Sequence, residues 1–256
     1  MHKRKKIAVF LVGIMLVVGG RMFETRQLKQ KVKPGVEFLA RQEKYPIHKI
    51  ERHIKKNQEN LMKKRLEEQK EQIEKGEIDV WSLFSNIMIL GDSRAVGFDV
   101  FGCLPPNQVV AAGGNNINAI EEAVPKIREM NPAAVFLCYG VNDIGIGTWE
   151  TPEKYASAYI KIVKKMQKTF PGIKFYVNST LPTEERAFQK NPRWKRIPEY
   201  NRVLKEACEK NHIGYVDCTK ILEEHSDLYD VDDGIHMRKE FYPYWGTQMI
   251  QTMEAR

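Results

Sequence analysis

Between residues 86 and 217, short uninterrupted apolar runs alternate with longer amphipathic stretches. Asn86-Ile87-Met88-Ile89-Leu90 ends in Gly91, and Gln108-Val109-Val110-Ala111-Ala112 ends in Gly113-Gly114. Ala134 to Tyr139 ends in Gly140, Lys174 to Asn178 forms a fourth run, and Gly214 to Asp217 a fifth. These runs have the length and the flanking glycines of strands. Helical spacing is predicted from Asn116 to Met130, Pro152 to Phe170, Pro198 to Asn211, and from Met237 to the C-terminus. Apolar strands separated by helices predict a parallel sheet covered on both faces, with its site beyond the strands' C-terminal ends.

Upstream the pattern changes. Ile7 to Gly20 is apolar and uncharged, with Lys3-Arg4-Lys5-Lys6 before it and Arg21 after it. The run is short for a span of about 20 residues. Snorkelling of Lys6 and Arg21 and the apolar Met22-Phe23 make a thin span over residues 7–23 feasible. The alternative is a cleaved secretory signal, although Val18-Gly19-Gly20 matches the small-x-small cleavage pattern poorly. In either case the basic flank keeps residues 1–6 in the cytosol and sends the rest across the membrane.

Residues 24–78 form a charged helical stalk or linker. A thin apolar stripe runs through Ile47, Ile50, Ile54, Leu61, Leu66 and Ile73 at near-helical spacing. Pro46 can open this helix and Gly76 can close it. The globular domain is expected over residues 79–256.

Charge and composition narrow the classes. The chain of 256 residues carries a net charge of +8, yet residues 1–78 hold 20 Lys plus Arg against 10 Asp plus Glu. The remaining 21 basic and 23 acidic residues leave the domain near neutral. The high pI therefore belongs to the N-terminal third, and no nucleic-acid partner is expected, since no recognition module accompanies the basic stretch. Four Cys in a chain this long make no disulfide scaffold, although a Cys208–Cys218 bridge is conceivable in an exported domain.

Four segments carry chemistry, three directly after strands and the fourth near the C-terminus. Gly91-Asp92-Ser93 follows the first strand, where a serine on a sharp turn can act as a nucleophile; an ordinary Asp/Ser helix cap is the plainer alternative. Gly113-Gly114 follows the second, where a backbone N–H can approach a ligand closely. Gly140-Val141-Asn142-Asp143 follows the third, where an Asn amide can donate to an oxyanion. In Asp233-Gly234-Ile235-His236, a carboxylate three residues before a histidine can hold Nδ1–H and leave Nε2 to accept a proton. Of the six His, only His236 has that setting, and no cluster with zinc spacing completes a metal site.

Taken in order, these four blocks resemble the SGNH (GDSL-like) hydrolases from about residue 84 to the end. The resemblance implies a three-layer, flavodoxin-like α/β/α sandwich with a five-stranded parallel sheet. It implies Ser93 as nucleophile, His236 as base and Asp233 as its orienting partner. It also implies an oxyanion hole built from the Ser93 N–H, a glycine N–H, preferentially that of Gly114, and the Asn142 side chain. No cofactor is needed. The residue after Ser93 is Arg94, a departure from the common pattern, which a surface salt bridge would explain.

The expected activity is that of a serine ester hydrolase removing O-acetyl groups from a cell-envelope glycan. Alternatives are an O-acyltransferase on such a glycan, a lipase or thioesterase on small acyl esters, and a non-catalytic envelope scaffold. Arg94, Gly113, Asp143, Trp194 and Trp245 are candidate substrate contacts. The polar segment from Thr183 to Arg196 and the aromatics Tyr242 and Tyr244 are further places where a sugar could lie.

Overall fold

The computed structural model describes residues 20–22, 26–40 and 46–255. The cytosolic tail expected at 1–6 and the anchor expected at 7–23 lie outside the described residues, apart from 20–22. Among the described residues no helix is long and apolar enough to cross a membrane. Residues 26–40 are helical (α1), and α2 runs over Ile47–Glu74, starting just after Pro46 as the stripe predicts.

Lys64–Arg256 form one compact unit, so the last turns of α2 belong to it. Gln251 Nε2 donates to the Leu66 carbonyl at 2.8 Å, Gln69 Nε2 donates to Glu254 at 3.1 Å, and Ile73 packs on the core. The end of the stripe is thus a docking edge rather than a fully solvated face.

Five strands make one parallel sheet in the order β2-β1-β3-β4-β5: β1 Ile87–Gly91, β2 Val109–Ala111, β3 Ala134–Cys138, β4 Lys174–Asn178 and β5 Gly214–Val216. The expected five-stranded parallel sheet is therefore present. Every residue of β1 and β3 is buried, as uninterrupted apolar runs require when helices cover both faces. Successive side chains alternate between two cores. Met88, Leu90, Val135, Leu137 and Val177 face one layer, built from α5 (Val124–Met130), α7 (Pro152–Thr169) and α8 (Ile197–Lys210). Ile89, Phe136 and Tyr176 face the other, where Phe84, Phe98 and α10 (Tyr242–Glu254) pack.

The helix predicted over Asn116 to Met130 is two helices, α4 (Ala119–Glu122) and α5. Pro125 stands in the first turn of α5, where its missing N–H and fixed φ are tolerated and in the interior of one long helix are not. The C-terminal pattern opens with a 3-10 turn at Lys239–Phe241 before α10. All four cysteines are free and buried, so the conceivable Cys208–Cys218 bridge is absent.

The strand order fixes where a site can form. From β1 the chain moves outward to β2, then returns past β1 to β3. The connections leaving β1 and β3 therefore diverge, and a crevice opens at their C-terminal ends. Asp92 N bonds the Cys138 carbonyl at 3.1 Å at that point, joining the two segments that carry Ser93 and Asn142.

Candidate active site

Ser93 sits in the turn between β1 and the short helix α3 (Gly97–Val100), partly exposed. The turn is shaped by Asp92, whose carboxylate accepts the Arg94 N–H at 3.0 Å and the Val141 N–H. One buried carboxylate thus ties the serine turn to the start of α6 (Val141–Ile146). Burial raises the Asp92 pKa to about 6 against the opposing pull of Arg94 and these N–H groups.

His236 and Asp233 come from the loop before α10. His236 Nε2 lies 2.8 Å from Ser93 Oγ, and His236 Nδ1 lies 2.5 Å from Asp233 Oδ2. Asp233 Oδ1 also accepts the N–H groups of Ile235 at 2.7 Å and His236 at 2.9 Å. Partial burial works against ionisation, but the His236 ring and these two N–H groups outweigh it, and the Asp233 pKa falls to about 2. An ionised Asp233 calls for a donor at Nδ1, which leaves Nε2 with a lone pair for the serine proton. Residues 143 positions apart are thereby placed in hydrogen-bonded series.

Asn142 lies in the first turn of α6. Its Nδ2 donates one N–H to the Asn115 carbonyl at 2.8 Å, and a primary amide has a second. Asn115 directly follows Gly114, and its own Nδ2 donates to the Gly91 carbonyl at 3.3 Å. The second, third and first blocks are joined in this way. Gly113 and Gly114 occupy an exposed turn after β2. Gly140 is obligatory: its φ is 135°, and a Cβ there would stand 1.9 Å from Thr180 Oγ1.

Three of the residues expected to touch substrate are interior. Asp143 is fully buried, and its Oδ1 accepts from Ile117 N at 3.2 Å and Trp149 Nε1 at 3.1 Å, so it braces α6 against the second block. Burial lifts its pKa to about 6 despite those two bonds. Trp245 is buried in the aromatic cluster with Phe98 and Phe241, and its Nε1 donates to Asn178 Oδ1 at 3.0 Å. Arg94 is 2% exposed and makes no surface salt bridge. Its Nη1 donates to the Leu181 carbonyl, and burial lowers its pKa while Asp92 and neighbouring groups oppose that effect. Trp194 is half-buried, with Nε1 committed to the Val141 carbonyl at 3.0 Å.

A parallel sheet of order 2-1-3-4-5 carries a serine, an imidazole and a carboxylate in series at its switch point, an arrangement suited to acyl-transfer chemistry. Residues 90–242 match the GDSL-like Lipase/Acylhydrolase family, and the chain belongs to that family. Among similar solved structures, a lipase/acylhydrolase from Enterococcus faecalis is 14% identical with a TM-score of 0.52, covering 66% of this chain and 95% of its own. A GDSL-like lipase from Bacteroides thetaiotaomicron is 18% identical (TM-score 0.49; 66% of this chain, 87% of that one). A catalytic mutant of an acetylxylan esterase from Geobacillus stearothermophilus is 14% identical (TM-score 0.48; 65% and 93%). No curated protein matches the chain.

Proposed function

We propose that this acyl ester hydrolase works through Ser93, His236 and Asp233, and that it removes O-acetyl groups from a cell-envelope glycan. The observation that carries the reading is the series Ser93 Oγ–His236 Nε2 at 2.8 Å and His236 Nδ1–Asp233 Oδ2 at 2.5 Å. His236 Nε2 takes the Ser93 proton as Oγ bonds the acyl carbon, and the carbonyl electron pair moves onto oxygen. The Ser93 N–H, the Gly114 N–H and the second Asn142 N–H receive that oxyanion. Collapse breaks the bond to the sugar oxygen, which leaves with the proton from His236. Water then attacks the acyl-serine with His236 again as base, and the carboxylic acid departs. Asp233, held ionised, keeps the ring oriented and offsets the positive charge His236 gains. No step calls for a metal or a nucleotide.

Two features support an envelope glycan as the substrate. The basic n-region followed by the apolar run 7–20 argues for an anchored domain facing outward, with residues 1–6 in the cytosol. Arg193 and Lys195, both exposed, lie on the segment that also grips α6 and offer positive charge to an anionic glycan. The test is acetate release from O-acetylated envelope glycan fragments, with Ser93→Ala as control. Acetate appearing in solution is expected. Acetyl appearing instead on a second glycan means a transferase, and no reaction on glycan beside turnover of small acyl esters overturns the substrate assignment.

A further inference from the structure

Eighteen residues, 179–196, separate β4 from α8, with 3-10 turns at Glu185–Gln189 and Pro192–Arg196 as their only regular structure. Most connections inside compact domains span only about 4–6 residues. This one touches both halves of the site. Arg186 Nη2 donates to the Asp230 carbonyl at 2.7 Å, Nη1 donates to the Val231 carbonyl, and Nε pairs with Glu184 Oε2 at 2.5 Å. Glu184 N bonds the Gly234 carbonyl at 2.9 Å. Gly234 itself has φ 67°, and a Cβ there would meet Glu184 Oε2 at 2.7 Å and Arg186 Nε at 2.9 Å. The loop carrying Asp233 is therefore gripped at three carbonyls from outside, while Asp233 binds two of its N–H groups from within. Further along, Asn191 Nδ2 donates to the Gly145 carbonyl at 2.8 Å and Trp194 Nε1 to the Val141 carbonyl, on either side of Asn142.

We infer that residues 183–196 are a strap that positions both halves of the active site, with Arg186 as the positioning residue for the Asp233–His236 loop. The inference rests on the proposed roles of Ser93, His236, Asp233 and Asn142. A guanidinium fork suits the task because one planar group meets two carbonyls and a carboxylate together, which an ammonium cannot do. The two ends of the strap serve different steps. Loss of the Arg186 grip misaligns the ring that takes the Ser93 proton and then protonates the leaving oxygen. Loss of the Trp194 contact misaligns the amide that holds the oxyanion. Both kinds of ester need His236 as base for Ser93 and for water; alkyl esters also need it as the acid for the leaving oxygen, whereas activated aryl esters do not.

The experiment compares kcat and KM on an alkyl acetate and an activated aryl acetate for wild type, Arg186→Ala, Arg186→Lys and Trp194→Phe. Arg186→Ala should lower kcat/KM on the alkyl ester about 10–100-fold, through kcat rather than KM, and lower it on the aryl ester by a smaller factor. Arg186→Lys should not restore it. Trp194→Phe should lower both esters alike. Glu184→Ala, which frees the guanidinium but leaves its carbonyl contacts, should show the same alkyl selectivity at smaller amplitude. Unchanged alkyl turnover in Arg186→Ala, or an equal fall on both esters with rescue by Lys, overturns the inference. Ser93→Ala run alongside separates the two readings: if it retains turnover, the site assignment has failed rather than the strap.

Discussion

Asp92 and Arg94 flank Ser93 and are both buried, with opposite charges, while the serine between them is partly exposed. The Asp92 carboxylate accepts the Arg94 N–H at 3.0 Å and sits in the field of the Arg94 guanidinium, whose Nε and Nη2 have no hydrogen-bond partner. The Ser93 turn is thus supported from behind by a charge pair taken out of water. Such a pair adds little net stability, but breaking it leaves a lone buried charge.

Arg94→Met should therefore destabilise the domain by about 3–5 kcal/mol in chemical denaturation, because Asp92 is left uncompensated. Adding Asp92→Asn should recover part of the loss, since the remaining partner is then neutral. Additive losses in the double variant would show that the two side chains do not act as a pair.

Asp92 and Asp143 also set a pH dependence. Both have folded pKa values raised from 3.8 to about 6 by burial. Each contribution is full below about pH 4 and is lost as pH rises through about 6, when the buried carboxylate must ionise. A shift of about two units corresponds to about 3 kcal/mol per group. Asp143→Asn keeps an oxygen for Ile117 and Trp149 and removes the titration. Its Tm should fall less than that of wild type between pH 5 and pH 7.5. Identical slopes in thermal scans would mean that Asp143 stays charged at no cost. Asp233 has the opposite sign: its lowered pKa contributes stability above about pH 4 that is lost as pH falls towards 2.

Trp245 separates packing from recognition. Trp245→Ala should cost about 3–5 kcal/mol in unfolding free energy, the range for emptying a large aromatic site. The folded fraction should keep the wild-type KM for a small acetyl ester. A raised KM at unchanged stability would return Trp245 to the substrate surface.

Asn142→Ala removes one proposed oxyanion donor. It should lower kcat about 10²–10³-fold and leave KM nearly unchanged, because the contact strengthens only in the transition state. A change confined to KM would mean that Asn142 serves ground-state binding.

What the sequence made legible follows the range over which each signal acts. The strands β1 and β3 were readable because burial on both faces leaves an unbroken apolar run closed by glycine. Ser93, Asn142, Asp233 and His236 could be singled out as candidates because each block is contiguous in the sequence, and those of Ser93 and Asn142 directly follow a strand. The two-helix break at Pro125 was missed because the helical spacing continues across it. Asp143, Arg94 and Trp245 were misplaced because a polar or aromatic residue beside a site motif carries no local mark of burial. Their partners Ile117, Leu181 and Asn178 lie 26, 87 and 67 positions away. The contacts of Arg186 and Trp194 reach 44 to 53 positions along the chain, and the sequence marked their segment only by its polarity and by Trp194 as a candidate sugar contact.

The most direct measurement of the central claim is the intact mass of the folded protein after exposure to a serine-directed fluorophosphonate, paired with turnover of a small acetyl ester. Wild type should gain one adduct, mapped to Ser93, and lose turnover in proportion. Ser93→Ala should gain none and show no turnover above background. A folded Ser93→Ala protein that still hydrolyses the ester at the wild-type rate, or an adduct mapped to another residue, would contradict the account.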